Sequence, residues 1–380
     1  MKIAIIGGGA AGMIAAATIA EKNPSTNITI IEKNKKLGQK VVLSGGGRCN
    51  ITTTTTNVKE LLENYPRGKK WLRFAMHEFG PSETYKWFED HGVPLKEEGK
   101  RVFPKSDKGT DIIEMFSKLF ASKGVEVIFN SNVKKVEKDQ EQYIITLSDD
   151  QTIQADKVII TTGGGTSKLL ENLSHTSTPL APTLTSFITN EKWVATLAGV
   201  SIQKAKLKIK GDKKHEFTGP ILFTHKGITG PAIFAISAMS AYEKCPIQLS
   251  IDLTPDTTYE NLLAQAPNLS KFIPKSVAKK VLDNLDITPP SEGQELSKKD
   301  QNRITETVKN LSLTLTSRTP GTEIVTAGGI PLKEVDQKTM ESKIHPGLYF
   351  AGEILDVDGF TGGYNLQNAW STGRLAGSTI

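Results

Sequence analysis

A chain of 380 residues with 37% apolar and 23% charged side chains has room for two domains and an ordinary globular balance, which excludes a disordered or fibrous protein. No stretch approaches the roughly 18 consecutive apolar residues of a membrane span. The net charge of +6 comes from lysines interleaved with acids, as in KKVEKDQEQ, so neither a nucleic-acid face nor a membrane partner is expected.

The N-terminal segment KIAIIGGGAAGMIAAATIAEKNPSTNITIIEK carries the most information. Lys2 to Ile6 is a β-branched apolar run, predicting a buried strand that breaks into glycines too early for a signal peptide. Gly7, Gly9 and Gly12 then fit the spacing G-x-G-x-x-G, followed by an alanine-rich helix, a stop at Asn23-Pro24 and a second strand ending in Glu32. Gly7 permits the tight turn, Gly9 leaves room for a pyrophosphate, and Gly12 lets helix and strand approach. The helix N-terminus offers free N–H groups at Ala10 and Ala11 to the pyrophosphate, and Glu32 suits a ribose diol.

The stretch LSGGGRCN, Leu43 to Asn50, comes next. Ser44 lacks the context of a nucleophile elbow, and no Lys-Ser/Thr follows the glycines as it would in a P-loop. Gly45, Gly46 and Gly47 suit backbone laid against a flat ring, because no Cβ intrudes. Arg48 and Asn50 are its polar handles, and Cys49 is read as a small packing residue rather than a thiolate nucleophile.

Helices are expected at WLRFAMHEF, SETYKWFEDHG and TDIIEMFSKLFASKG, the last with Thr110 as N-cap and Gly124 as its stop. VPLKEEGKRVFP reads as a hairpin, TTTTT at 52–56 as a loop, and Ser148 to Asp150 as a hairpin turn. From about Trp193 alternating strands, a Gly-Pro turn and a helix appear, with residues 258–318 read as mostly helical. The expected division is a discontinuous dinucleotide domain at 1–190 and 323–380 with an insert at 191–322.

Two further strands end in glycines: Ala155 to Gly165 runs into Thr162, Gly163 and Gly164, and His345 to Gly377 runs into Gly352 and Glu353 before Gly362-Gly363 opens a helix. Ligands of open α/β sheets bind at the carboxyl ends of strands. Three such ends converging on one ligand favour FAD, the longer cofactor, over NAD. No second fingerprint is present, so NAD(P)H would visit only transiently.

The order of these segments, with LFTHKGITGP and TAGGIPLKEVD between them, resembles the HI0933-like flavoproteins, a family that includes aminoacetone oxidases and bile-acid flavin reductases. The resemblance implies FAD, an α/β fold with a Rossmann-like FAD-binding domain of the two-dinucleotide-binding-domains type, and an inserted α+β domain. It implies cofactor contacts at Lys33, Lys40, Val133 (through its backbone), Glu353, Gly362, Gly363, Tyr364, Asn365 and Leu366 as well as the glycine runs, Ser44 and Cys49. The expected catalytic groups are Arg48, Asn50, Tyr364 and His225, the last in a Gly-rich turn.

The six histidines and two cysteines show no metal-ligand spacing, and no disulfide framework is possible. The expectation is thus a cytoplasmic FAD-dependent oxidoreductase moving hydride between flavin N5 and a small molecule held between the two domains, by amine oxidation or by C=C reduction. The alternatives are a non-catalytic flavin-binding or RNA-associated protein and an NAD-dependent dehydrogenase.

Overall fold

The computed structural model describes residues 1–164, 169, 173–210, 215–288 and 296–380. Gly165 of the third glycine run, the segment 211–214 and residues 289–295 lie outside the described residues. The chain forms two compact units: residues 1–181 with 325–380, and residues 182–324.

The first unit is built on a parallel sheet. Its strands are β1 (Lys2–Ile6), β2 (Asn27–Ile31), β3 (Glu126–Ile128), β4 (Lys157–Ile160) and β5 (Leu348–Phe350), in the order β5-β4-β1-β2-β3. Ile3, Ile5, Ile30, Val158, Ile159 and Ile160 are all buried, as expected for strands covered on both faces. Because every pairing in this sheet is parallel, the carboxyl ends of all five strands lie along one edge.

Helices α1 (Ala10–Lys22), α2 (Gln39–Leu43), α3 (Pro81–Asp90), α4 (Thr110–Lys123) and α5 (Tyr364–Ser378) belong to this unit. Helix α1 is alanine-rich, with buried residues all round. It packs on α5 through small residues: a Cβ on Gly373 would lie 2.4 Å from the Ala11 carbonyl, and one on Gly377 2.7 Å from that of Ala15. The last helix of the chain therefore braces the helix of the glycine fingerprint.

Two expectations along this unit are corrected. Thr52–Thr53 is a strand, pairing with Arg101 and Val102, rather than part of a loop. Its alternation is hidden in sequence because all five residues of the run are threonine. Helix α4 has Gly109 at its N-cap, and Thr110 is already helical. The hairpin of Leu95–Glu98 with Arg101–Pro104 and the turn after Leu147 form as expected.

The second unit is a closed antiparallel barrel of six strands. Around the ring these are Phe187–Thr189, Gly227–Thr229, His215–Phe223, Ser201–Lys210, Ile247–Asp252 and Leu311–Arg318. Phe187, Leu207, Phe223, Leu249, Ile251 and Leu313 fill its core with the apolar helix Pro231–Met239. The stretch 258–318 is not helical throughout: Leu311, Leu313 and Leu315 point inward at a period of two, and Leu311–Arg318 is the closing strand. Strand Phe187–Thr189, which precedes the expected start of the insert, belongs to this barrel.

Candidate functional site: the carboxyl edge of the parallel sheet

The glycine turn after β1 separates into three physical roles. Gly7 has φ +108°, and a Cβ there would stand 2.7 Å from the Thr161 carbonyl oxygen. A Cβ on Gly12 would fall 2.0 Å from the Gly7 carbonyl, so this residue sets how closely α1 approaches the strand. A Cβ on Gly9 would meet no atom within 4 Å, leaving open space beside the first turn of α1. Thr161, which the sequence reading did not single out, donates its hydroxyl to the carbonyls of Ile6 and Gly7 and pins the turn.

Glu32 follows β2 and is buried. Its carboxylate accepts from Gly8 N at 2.7 Å, Asn34 N at 2.8 Å and Asn34 Nδ2 at 2.6 Å, which fixes it beside the turn. Lys33 is exposed, and Val133 begins a strand next to Ser131, whose N–H donates to the Glu32 carbonyl.

The run Ser44–Gly47 is a short 3-10 turn with three left-handed glycines: Gly45 at φ +59°, Gly46 at +71° and Gly47 at +93°. Gly45 backs onto Phe103 and Asn50, whereas Cβ atoms on Gly46 and Gly47 would meet nothing within 4 Å. Ser44 donates to the Val41 carbonyl. Cys49 also has positive φ (62°) and is fully buried. Burial pushes its thiol up to about 12, against a smaller opposing effect of the Ser44 hydrogen bond, in keeping with a packing residue.

Four of the expected site residues have partners within the protein. The Arg48 guanidinium bonds Glu98 at 2.8 Å and Asp107 at 3.3 Å and lies 4.0 Å over the Phe103 ring, so its charge is already paired. Asn50, in the amide orientation that satisfies both neighbours, donates to the Thr52 carbonyl at 3.0 Å and accepts from Gly363 N at 2.9 Å. Asn365 accepts from Gly359 N and donates to the Gly359 carbonyl, both at 2.8 Å, closing its own turn. Tyr364 is buried edge-on to Tyr65, which donates its hydroxyl to the Tyr364 carbonyl. Sequence spacing places these residues near the glycine runs; where each side chain turns depends on partners remote in sequence.

Residues the sequence reading missed anchor the same region. Gln367, on the first turn of α5, accepts from Thr52, and its amide nitrogen lies within hydrogen-bond distance of the Phe79 carbonyl, Thr84 and Ser371, joining four segments in the core. Arg67 forms a two-pronged ion pair with Asp358, which is fully buried. Burial raises the Asp358 carboxyl, and the guanidinium opposes that rise. No spacing pattern in NYPRG could have signalled Arg67.

Gly163 (φ +78°), Gly164 and Thr162 follow β4, and Gly352 (φ +81°) and Glu353 follow β5. Glu353 accepts from Thr326 N at 3.0 Å and pairs with Lys40 at 2.8 Å. Gly362 and Gly363 open α5, where a Cβ on Gly363 would meet the Thr52 carbonyl at 2.5 Å; Leu366 is half-buried on the first turn. The carboxyl edge thus gathers the turn after β1, Glu32, the turns after β4 and β5, and Lys40. At this edge the turn after β1 leaves open space beside Gly9.

His225 belongs to the second unit, exposed in a turn where Thr224 N donates to the Gly227 carbonyl. Among the described residues no cluster of His, Cys, Asp and Glu could hold a metal, and no helix is long and apolar enough to cross a membrane.

The HI0933-like protein Rossmann domain matches residues 1–379. The 3-dehydro-bile acid delta(4,6)-reductase of Clostridium scindens is 29% identical, covering 99% of this chain and 98% of its own. The ribosomal RNA dihydrouridine synthase of Escherichia coli K12 is 30% identical, covering 97% of this chain and 95% of its own. Among solved structures, the 3-ketosteroid-delta4-(5alpha)-dehydrogenase of Rhodococcus jostii RHA1 has a TM-score of 0.55 at 13% identity, covering 99% of this chain and 96% of its own, a likeness of fold. With the fingerprint, the parallel sheet and near-complete coverage in agreement, the chain belongs to the HI0933-like family and is a flavoprotein oxidoreductase with a Rossmann-like FAD-binding fold.

Proposed function

We propose that the protein uses FAD to reduce a C=C bond conjugated to a carbonyl group. The observation that supports a bound dinucleotide is the glycine turn at the carboxyl end of β1, with free space at Gly9. The first turn of α1, at Ala10 and Ala11, would hold the pyrophosphate, and Glu32 the adenosine ribose. The starts of α2 and α5, with Gly46, Gly47, Gly362 and Gly363, would hold the rest. The N-terminus of α5 would favour negative charge on the cofactor's pyrimidine end. When bound, FAD supplies the hydride.

The relatives' names support reduction over amine oxidation. A 3-dehydro-bile acid delta(4,6)-reductase and a dihydrouridine synthase both saturate a C=C bond that lies in conjugation with a carbonyl. The chain's own contribution is to orient the carbonyl and to provide a proton for the second carbon. NAD(P)H is the proposed transient source of electrons.

A second reading takes uridine in RNA as the substrate instead of a small molecule. Two relatives at 30% identity carry the name ribosomal RNA dihydrouridine synthase, and the net charge is +6. Lys208 and Lys210 are exposed on the barrel strand Ser201–Lys210.

The test is anaerobic. The purified flavoprotein, reduced with NADH or NADPH, is mixed with a steroid dienone or with a uridine-containing ribosomal RNA transcript. Reoxidation of the flavin by one class, with saturation of its C=C bond, is expected. Flavin reduction by amines with peroxide release in air, and none of this reoxidation, would overturn the proposal.

A further inference from the structure

Two of the groups expected to touch the cofactor touch each other. Lys40 and Glu353, 313 residues apart, form an ion pair at 2.8 Å. Each is held by its own backbone anchor. Gly38 caps helix α2, and its N–H donates to the Gly8 carbonyl at 2.8 Å, so Lys40 rides on the fingerprint turn. Glu353 follows β5, and its other carboxylate oxygen accepts from Thr326 N at 3.0 Å.

The sheet order is β5-β4-β1-β2-β3, and Lys40 lies after β2 while Glu353 lies after β5. Gly38, two residues before Lys40, is tied to the turn after β1, so the pair links that turn to the end of β5 across β4, whose turn Thr161–Gly164 lies between. Glu353 Oε2 is 3.4 Å from the point a Cβ on Gly163 would occupy, which places the carboxylate directly on that turn. The lysine side chain is 69% exposed and the glutamate 21%.

The fold does not need this bond: α2 is fixed through Gly38 and β5 through its ladder to β4. An exposed lysine closed over a cleft by one bond is cheap to open. We propose that the Lys40–Glu353 pair is a strap across the cofactor cleft, which slows both the entry and the exit of the dinucleotide. This rests on the FAD reading above.

The experiment measures FAD release from the holoprotein and FAD uptake by the apoprotein, both followed by flavin fluorescence. Lys40→Ala and Glu353→Gln are each expected to speed release and uptake together, by about 1.5- to 5-fold, the range of an exposed ion pair. Wild type in molar salt should approach the rates of the variants, which should themselves respond little to salt. The reversed pair, Lys40→Glu with Glu353→Lys, should regain slow exchange.

If Lys40→Ala speeds release but slows uptake, and the reversed pair is worse than either single variant, the lysine binds phosphate directly and the strap is overturned. Unchanged rates in both single variants overturn it as well. A wild-type protein that takes up no FAD at all overturns the FAD reading instead, a result separable from either.

Discussion

Replacing Gln367 by Leu tests how the candidate site is held together. The side chain is fully buried, and its amide joins Thr52, the Phe79 carbonyl, Thr84 and Ser371. Leu fills a similar volume but bonds none of them. The Phe79 carbonyl and Ser371 keep their mutual bond at 2.6 Å, so the groups left without a partner are the Thr52 and Thr84 hydroxyls. At about 1–3 kcal/mol for each buried group left unsatisfied, the loss is about 2–6 kcal/mol. With a urea slope of about 3 kcal/mol per molar, the midpoint should fall by about 1–2 M. Because Thr52 also lies against Gly363 at the start of α5, FAD release should rise in native buffer. Equilibrium urea unfolding followed by tryptophan fluorescence reads the first effect, since Trp370 on the same helix donates to the Ile51 carbonyl. An unchanged midpoint would refute the claim that this amide is the junction of the four segments.

Gly12→Ala should weaken FAD binding at least tenfold, because the new methyl overlaps the Gly7 carbonyl and must push α1 off its strand; isothermal titration of the apoprotein checks it. Cys49→Ser should retain FAD and most turnover, and native protein should leave Cys49 unlabelled by thiol reagents, as its burial and raised thiol require. Two histidines should give pH dependences of opposite sign. The Glu21 carboxylate raises His91 above its ordinary 6.5, so that contribution to stability is full below 6.5 and fades as pH rises through the raised value. Burial lowers His175, whose ring bonds Glu334 and Ser342, so its contribution is full above 6.5 and is lost as pH falls through the lowered value. Urea midpoints of His91→Gln and His175→Gln against wild type between pH 5 and 8 separate them, and equal slopes in both variants would count against the assignment.

The first βαβ unit was legible because short-range rules govern it. A β-branched run, three glycines at fixed spacing, an alanine helix and an acid at the end of the next strand all act within about thirty residues. The barrel was harder. Its strands Phe187–Thr189 and Leu311–Arg318 are adjacent in space and far apart in sequence, and the alternation LSLTLTSR was masked by the helices before it.

The site divides along the same line. Which backbone segments line the carboxyl edge followed from glycine positions, since left-handed φ and close approach leave a mark on the sequence. What each polar side chain does there did not. Arg48 turns to Glu98 and Asp107, Asn50 to Gly363, and Asn365 to its own turn. Arg67 meets Asp358, and Lys40 meets Glu353, from opposite ends of the chain. Sequence alone determined the glycine turn after β1 and the family, because these depend on local backbone chemistry in a fixed order. Only tertiary structure decided which charges are paired and which positions stay open, because a flexible polar side chain takes the nearest partner that the packed fold supplies.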